Sequence, residues 1–122
     1  MPARVYALVL GESKGGSEVV TGTVPVLGFE ASVLFDLGVA HSFISTMFVR
    51  LSRHVEQTLE LGLVVSTPVR KTVVCKRVVC GCPVSIYGRI LPANLVVFPM
   101  ISYNVIFGMD WLAKHLAIIN CA

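Results

Sequence analysis

Short runs of β-branched residues dominate this chain of 122 residues. It contains 21 valines and 7 isoleucines, and side chains that branch at Cβ favour packed strands over helices. Glycines, prolines and charged residues interrupt every run before it reaches the ~18 apolar residues of a membrane-spanning helix. The sequence therefore predicts one mostly β domain over residues 1–122, with residues 1–3 outside its ordered part, and no membrane segment.

Two pairs of these runs predict β-hairpins. Val19–Leu27 and Ala31–Phe35 are joined by Gly28-Phe29-Glu30, a short glycine-containing link. Gly62–Ser66 and Thr72–Val79 are joined by a link with a polar tip. Further strands are predicted over residues 4–10, 84–87 and 89–98.

Two other segments have the period of an α-helix. In the first, which has Ser42 as its expected N-cap, the apolar face consists of Phe43, Ile44, Met47, Phe48 and Leu51. In the second, Asp110 lies where a carboxylate stabilises the start of a helix, and the apolar face begins with Trp111 and Leu112. The sequence therefore predicts one or two short helices beside the strands.

The composition predicts self-association. Apolar residues make up 55% of the chain and charged residues 14%, which is more apolar surface than one small domain normally buries. A homodimer interface is more apolar than ordinary protein surface. We therefore expect a homodimer.

The chain contains four cysteines, which are Cys75, Cys80, Cys82 and Cys121. They could form disulfide bridges, bind zinc or remain free thiols. Their spacing lacks the two-plus-two arrangement of structural zinc sites, and the amino terminus lacks the features of a secretory signal. We therefore expect buried free thiols in a cytoplasmic protein, with no metal and no cofactor.

Five basic residues give the middle of the chain a positive charge: Arg70, Lys71, Lys76, Arg77 and Arg89. Nucleic acid is one partner that such a cluster suggests. However, no aromatic residues are interleaved with these charges and no nucleic-acid-binding module is recognisable. A solvated strand face is therefore favoured over nucleic-acid binding.

One pattern occurs twice. Val33–Gly38 and Asn104–Gly108 are each an apolar strand that ends near a glycine and leads towards a predicted helix. Asp36, one of only two aspartates in the chain, ends the first strand. The residues alone indicate an internal duplication, in which a strand-end carboxylate beside a glycine is a candidate catalytic group.

Both copies of this pattern resemble a known family. Phe35–Ser45 resembles the active-site loop of retropepsins, the aspartic proteases of retroviruses and LTR retrotransposons, most closely the gypsy-type elements of plants. Tyr103–Leu112 resembles their second signature, two apolar residues and a glycine before the last helix. The resemblance implies a closed β-barrel monomer with one or two short helices, which is half of a two-fold dimer.

The resemblance also implies a mechanism and a substrate. Two carboxylates can hydrolyse a peptide bond because like charges about 3 Å apart cannot both ionise, so one is a base and the other an acid. The chain has one Asp-x-Gly, so Asp36 would meet Asp36 of a second copy at a two-fold axis. The expected substrate is an extended peptide within a retroelement polyprotein.

Further site residues follow from the same resemblance. The active-site loop would comprise Leu37, Gly38, Val39 and Ala40, of which the last two would line the substrate cleft. The flap, a hairpin that closes over substrate, would have its tip at Pro68, Val69, Arg70 and Lys71. Ile106 and Gly108 would support the loop, and residues 4–10 and 117–121 would form strands that intertwine between protomers.

Leu37 departs from the family pattern. The family has Ser or Thr at this position, whose hydroxyl bonds across the dimer, and leucine has neither donor nor acceptor. Ala40 and Asn104 replace the Thr and Asp that are usual in close relatives. Two functions therefore remain open: a polyprotein-processing endopeptidase weakened at its dimer contact, and a catalytically inactive dimerisation or binding module.

Overall fold

An eight-stranded sheet forms most of the structure. The computed structural model describes residues 3–6, 19–67 and 71–120. The strands are β1 Ala3–Tyr6, β2 Val19–Val26, β3 Phe29–Asp36, β4 Phe43–Ser45, β5 Gln57–Thr67, β6 Lys71–Cys82, β7 Ser85–Ile86, β8 Arg89–Ile90, β9 Ala93–Phe98 and β10 Val105–Phe107. The helices are α1 Thr46–Ser52 and α2 Met109–Asn120.

The strand order in the sheet is β1-β5-β6-β9-β4-β10-β3-β2, and β7 and β8 form a separate hairpin. The predicted mostly β class with short helices is confirmed. Its predicted closure into a barrel is not, because the sheet of the described residues is open, with β1 and β2 as its two edges. An isolated bridge between Val26 and Val84 connects β2 to the segment before β7.

Both predicted hairpins are present. β2 and β3 turn through Leu27 and Gly28, whose φ angles of 55° and 81° suit the type I′ turn that matches the twist of the strands. Phe29, predicted in the link, is the first residue of β3. β5 and β6 pair antiparallel up to Thr67 and Lys71.

The sheet divides the core into two clusters, because successive side chains of a strand point to opposite faces. Val105 and Phe107 of β10 pack in the first core cluster with Trp111 and Leu112 of α2. Ile106, which lies between them, packs in the second core cluster, whose other buried members are Leu34, Val39, Phe43, Leu63, Val65, Cys75, Val96, Phe98 and Met100. Each large apolar side chain that is fully buried stabilises the fold by about 1.5–3 kcal/mol.

The first predicted helix begins later than expected. Its first two predicted apolar residues belong to β4, which pairs with β9 and β10, so sheet pairing overrides the helical period there. α1 starts at Thr46, and its N-cap is Ser45, whose Oγ accepts a hydrogen bond from Phe48 N at 3.2 Å. The prediction that Ser42 is the N-cap is therefore wrong.

The second helix starts as predicted, with Asp110 in its first turn. It continues to Asn120, so the predicted intertwining strand over residues 117–121 is wrong for residues 117–120, and Cys121 lies outside the described residues. At the other end of the chain, β1 pairs with β5 of its own chain, and residues 7–10 lie outside the described residues. Neither helix in the described part is long and apolar enough to cross a membrane.

Three of the four cysteines lie among the described residues. Cys75 and Cys82 are free and buried, as predicted, whereas Cys80 is free but exposed. Burial raises the pKa of the Cys75 thiol to about 11 and that of Cys82 to about 12. Both buried thiols are therefore neutral at physiological pH.

The basic cluster in the middle of the chain is solvent-exposed where its side chains are described, at Lys76, Arg77 and Arg89. Arg77 Nε lies 3.8 Å from Glu56 Oε1. Such an exposed ion pair contributes about 0–1 kcal/mol. This surface agrees with the predicted solvated strand face.

Candidate active site

The two copies of the repeated pattern lie side by side. β3 and β10 pair in parallel, with Val33 opposite Val105 and Phe35 opposite Phe107. The register aligns three residues of each repeat, Val33–Phe35 with Val105–Phe107, but not the two glycines, Gly38 and Gly108. Asp36 and Gly108 therefore follow the last paired residues at the same end of the two strands.

Asp36 is the last residue of β3, and only 6% of its surface is exposed. Its Oδ1 accepts a hydrogen bond from Gly38 N at 2.8 Å. A Cβ at Gly38 would lie 3.3 Å from the same oxygen, so glycine leaves the approach of the backbone to the carboxylate unobstructed. Val39 N donates to Asp36 O at 3.3 Å and closes the turn. The strand end therefore presents a carboxylate oriented by a backbone amide.

Gly108 packs directly against the loop that follows Asp36. A Cβ at Gly108 would lie 2.2 Å from His41 O and 2.5 Å from Val39 O. These are backbone atoms at distances that Cβ atoms do not reach in real structures, so only glycine fits this position. The residue predicted to support the loop thus contacts it through the backbone.

Backbone amides at the start of α2 bind the same loop. Met109 N donates to Val39 O at 2.7 Å, and Asp110 N donates to Ala40 O at 3.1 Å. The first amides of a helix have no partners within the helix, and the loop carbonyls satisfy them here. The position of the loop is therefore tied to the position of α2.

Ser42 connects the two repeats through its side chain. Its Oγ donates to Asp110 Oδ1 at 2.6 Å and accepts from Gly108 N at 2.9 Å. Asp110 Oδ1 also accepts from Trp111 N at 2.7 Å. The sequence did not indicate this role of Ser42, although a serine beside the first motif and an aspartate directly after the second glycine are a signal that could have suggested the pair.

Asn104 fixes the start of β10. Its Oδ1 accepts from Ser32 N at 2.8 Å, and its N donates to Ser32 O at 2.8 Å. Its backbone oxygen accepts from Ser45 N at 2.8 Å. The side-chain amide of Asn104 therefore ties β10 to β3, and its backbone oxygen ties β10 to β4.

The other predicted loop residues differ in exposure. Leu37 is 41% exposed, immediately beside the nearly buried Asp36. Ala40 is exposed, whereas Val39, predicted to line the cleft with it, is 1% exposed and packs in the second core cluster. Ile106 is also buried in that cluster. Of these residues, only Leu37 and Ala40 present exposed side chains.

The predicted flap corresponds to the hairpin of β5 and β6. Lys71 is the first residue of β6, and the other predicted tip residues, Pro68, Val69 and Arg70, lie outside the described residues. Leu63 and Val65 of β5 pack in the second core cluster. That cluster also contains Val39, so the body of this hairpin and the loop that follows Asp36 pack in the same core cluster.

The sequence as a whole matches a family model described as retroviral aspartyl protease, over residues 1–122. The chain belongs to this family. It is therefore a retropepsin-like aspartic protease domain, as the two motifs predicted. No curated protein matches the chain significantly.

Solved structures with the same fold include three proteases or protease-like domains. EIAV protease complexed with the inhibitor HBY-793 has a TM-score of 0.63 and 17% identity, covering 84% of this chain and 92% of that one. The retroviral protease-like domain of Ddi1 from Leishmania major has a TM-score of 0.61 and 14% identity, covering 80% and 78%. Simian Foamy Virus (mac) protease has a TM-score of 0.54 and 11% identity, covering 80% and 96%.

Proposed function

We propose that the chain is an aspartic endopeptidase that cleaves an extended peptide with a pair of carboxylates, Asp36 and Asp36 of a second copy. The observation that carries this proposal is the nearly buried Asp36 at the end of β3, whose Oδ1 accepts from Gly38 N at 2.8 Å. A carboxylate buried and oriented in this way has a geometry suited to proton transfer.

The second carboxylate comes from another chain because Asp110 is used elsewhere. Asp110 Oδ1 accepts hydrogen bonds from Ser42 Oγ and Trp111 N in the first turn of α2. The chain has no third aspartate. A closed two-fold dimer places equivalent residues opposite one another at its axis, so a homodimer supplies the missing carboxylate.

Each carboxylate then has one task. The ionised carboxylate takes a proton from water, and the water oxygen attacks the carbon of the peptide carbonyl, while the protonated carboxyl hydrogen-bonds the carbonyl oxygen. The tetrahedral intermediate collapses when a proton reaches the amide nitrogen, the C–N bond breaks, and the amine leaves. No metal and no covalent enzyme intermediate takes part.

Leu37 supports a second candidate function, a catalytically inactive dimerisation or binding module. Its exposed side chain stands where the family has a hydroxyl that bonds across the dimer. A buried hydrogen-bonding group left without its partner costs about 1–3 kcal/mol, and two-fold symmetry applies this cost twice. Each 1.4 kcal/mol weakens dimerisation about tenfold.

The wider setting of the proposed enzyme follows from its motifs. The active-site run Phe35–Ser45 resembles that of gypsy-type elements of plants. The proposed substrate is accordingly a retrotransposon polyprotein, and the proposed location is the cytoplasm, including retroelement particles. The extended conformation expected of the substrate suits docking beside the β5–β6 hairpin.

A cleavage assay separates the two functions. Purified protein is incubated at about pH 5, where a carboxylate pair is active, with a hydrophobic peptide, alongside Asp36→Asn, Leu37→Ser and the double variant. We expect Leu37→Ser to cleave at least about tenfold faster than the parent because its dimer is tighter. Asp36→Asn and the double variant should lose about 10²–10⁴-fold in rate.

The outcomes that contradict the proposal are distinct. Cleavage that survives Asp36→Asn would remove the catalytic role of this residue. A Leu37→Ser variant that dimerises but does not cleave would establish the inactive module. Sedimentation at several concentrations tests the dimer itself, since a strictly monomeric Leu37→Ser protein has no carboxylate pair.

A further inference from the structure

The first strand of the chain covers one edge of the β5–β6 hairpin. β1 pairs with β5 in parallel, with Ala3 opposite Leu63 and Tyr6 opposite Ser66. β6 lies on the other side of β5, and β1 is the outermost strand of the sheet. Among the described residues, β1 therefore pairs with a single strand, and its removal would leave that edge of β5 unpaired by any of them.

This edge belongs to the part of the hairpin that lies near the active site. Leu63 and Val65, both in the stretch of β5 that β1 covers, pack in the second core cluster. That cluster also contains Val39, whose carbonyl binds the start of α2 and whose amide closes the turn at Asp36. A strand paired with this stretch of β5 consequently lies along a hairpin that packs in the same core cluster as the loop after Asp36.

An uncovered strand edge is a binding site for extended peptides. It presents a row of unpaired amides and carbonyls, and an extended peptide that adds to it gains main-chain hydrogen bonds. Such recognition depends little on sequence, because the backbone supplies the bonds. Within the described residues, the strand that now makes these bonds with residues 63–66 is β1.

We propose that β1 is an internal competitor for peptide substrates, and that a substrate must displace it from the edge of β5. The proposal rests on the proposed function, because it identifies that edge as part of the substrate site. Residues 7–18 join β1 to β2 in the sequence, so β1 remains tethered to the domain when it leaves the edge of β5.

Tethering makes such a competitor effective. A segment on the same chain has an effective concentration in the mM range when its connection is short, so a free peptide at μM concentration competes poorly. The apparent affinity for free peptide equals the affinity of the uncovered edge multiplied by the fraction of molecules whose edge is uncovered. Pairing over only Ala3–Tyr6 keeps displacement accessible, because few ladder bonds have to break.

The test measures binding without requiring catalysis. The probe is a fluorescein-labelled peptide with the sequence of residues 1–10, and the protein is the full chain carrying Asp36→Asn. The double variant Arg4→Pro with Val5→Pro removes two successive backbone amides of β1. Alternate residues of a parallel strand bond the same neighbour, so one of the two removed amides faces β5. Arg4→Ala with Val5→Ala is the matched control, because it keeps both amides.

We expect the proline variant to bind the probe about tenfold more tightly than the parent, which corresponds to an edge that is covered in about nine-tenths of parent molecules. The alanine variant should bind like the parent. Amide hydrogen exchange over residues 63–66 should quicken in the proline variant and slow again when the probe is added. Exchange over β3 should not change, which shows that the rest of the fold is intact.

Equal affinity of the parent and the proline variant, including no binding to either, would overturn the proposal. A tenfold gain in affinity for the probe that disappears at low protein concentration would also overturn the proposal. In that case β1 would cover the edge of β5 in a second copy and not in its own chain. Failure of cleavage in the Leu37→Ser protein would contradict the proposed function while leaving these binding results unchanged. The two ideas can therefore fail separately.

Discussion

The turns after β3 and β10 start from paired parallel strands but end in different ways. After β3, a single backbone bond from Gly38 N orients the carboxylate of Asp36, and Leu37 next to it is exposed. After β10, Gly108 is pressed against two backbone carbonyls, and the helix that follows is bonded to the neighbouring loop. One turn presents a chemical group, and the other holds the first in place.

This division shows where substitutions are tolerated. A turn that presents a side chain has room around its glycine, because the nearest atom is a flexible carboxylate oxygen. A turn that supports it has none, because its neighbours are backbone atoms, and one of them, Val39 O, is itself hydrogen-bonded to Met109 N. The same residue type therefore has a different physical role at each position.

Replacement of the two glycines tests this comparison most strongly. Gly108→Ala should lower the free energy of unfolding by about 3 kcal/mol or more, because the new methyl group overlaps backbone carbonyls. Gly38→Ala should lower it by about 1 kcal/mol or less, since its Cβ would meet only Asp36 Oδ1 at 3.3 Å. Urea unfolding measures both. Similar losses for the two variants would show that the turns do not differ in this way.

Removal of the hydroxyl that links the two turns should have an intermediate effect. Ser42→Ala leaves Gly108 N without its acceptor, and an unsatisfied buried amide costs about 1–3 kcal/mol. Ser42→Thr, which keeps a hydroxyl, is the control for the loss of that bond. Asp110→Asn should cost about 1 kcal/mol or less, because the amide oxygen still accepts from Ser42 while the charge is lost.

The measurement for this link is again the free energy of unfolding in urea. If Ser42→Ala were as stable as the parent, the hydroxyl of Ser42 would contribute nothing to the link between Gly108 and Asp110. The link between the turns would then be the backbone alone.

The effect of alkaline pH should be the smallest of these near pH 9.0, and it tests one buried thiol in each core cluster. Burial raises the pKa of Cys75, in the second cluster, from 9.0 to about 11, and that of Cys82, in the first, from 9.0 to about 12. The unfolded chain loses these thiol protons at a lower pH than the folded chain, so stability is complete below pH 9.0 and falls as pH rises through those values. Cys75→Ala and Cys82→Ala should each reduce the slope of stability against pH above 9.0, and an unchanged slope in both would contradict the effect of burial.

Local patterns in the sequence predicted those parts of the fold and of the candidate site that depend on residues close together in the chain. The hairpins, the start of α2 and the strand-end position of Asp36 follow from runs of apolar residues, glycines and a carboxylate near a helix start. Sheet pairing with distant strands was not visible locally, so the β4 strand was predicted as the start of a helix.

Contacts between residues that are distant in the sequence account for other differences between the predicted and the observed structure. Ser42 and Asp110 are 68 positions apart, so no local pattern reveals their bond, and each was assigned a separate role at a helix start. The predicted strand at residues 117–121 came from the family resemblance rather than from a strand pattern. The structure continues α2 through residues 117–120 instead.

A helix at residues 117–120 has a consequence for assembly. Two copies that meet at Asp36 would have no C-terminal strands over these residues to interleave, so their contact would rely more heavily on loop surfaces such as Leu37. The association of two such chains is governed by mass action. In dilute solution the number of complete catalytic centres would then rise with the square of the chain concentration, and proteolysis would begin only where many copies are crowded together.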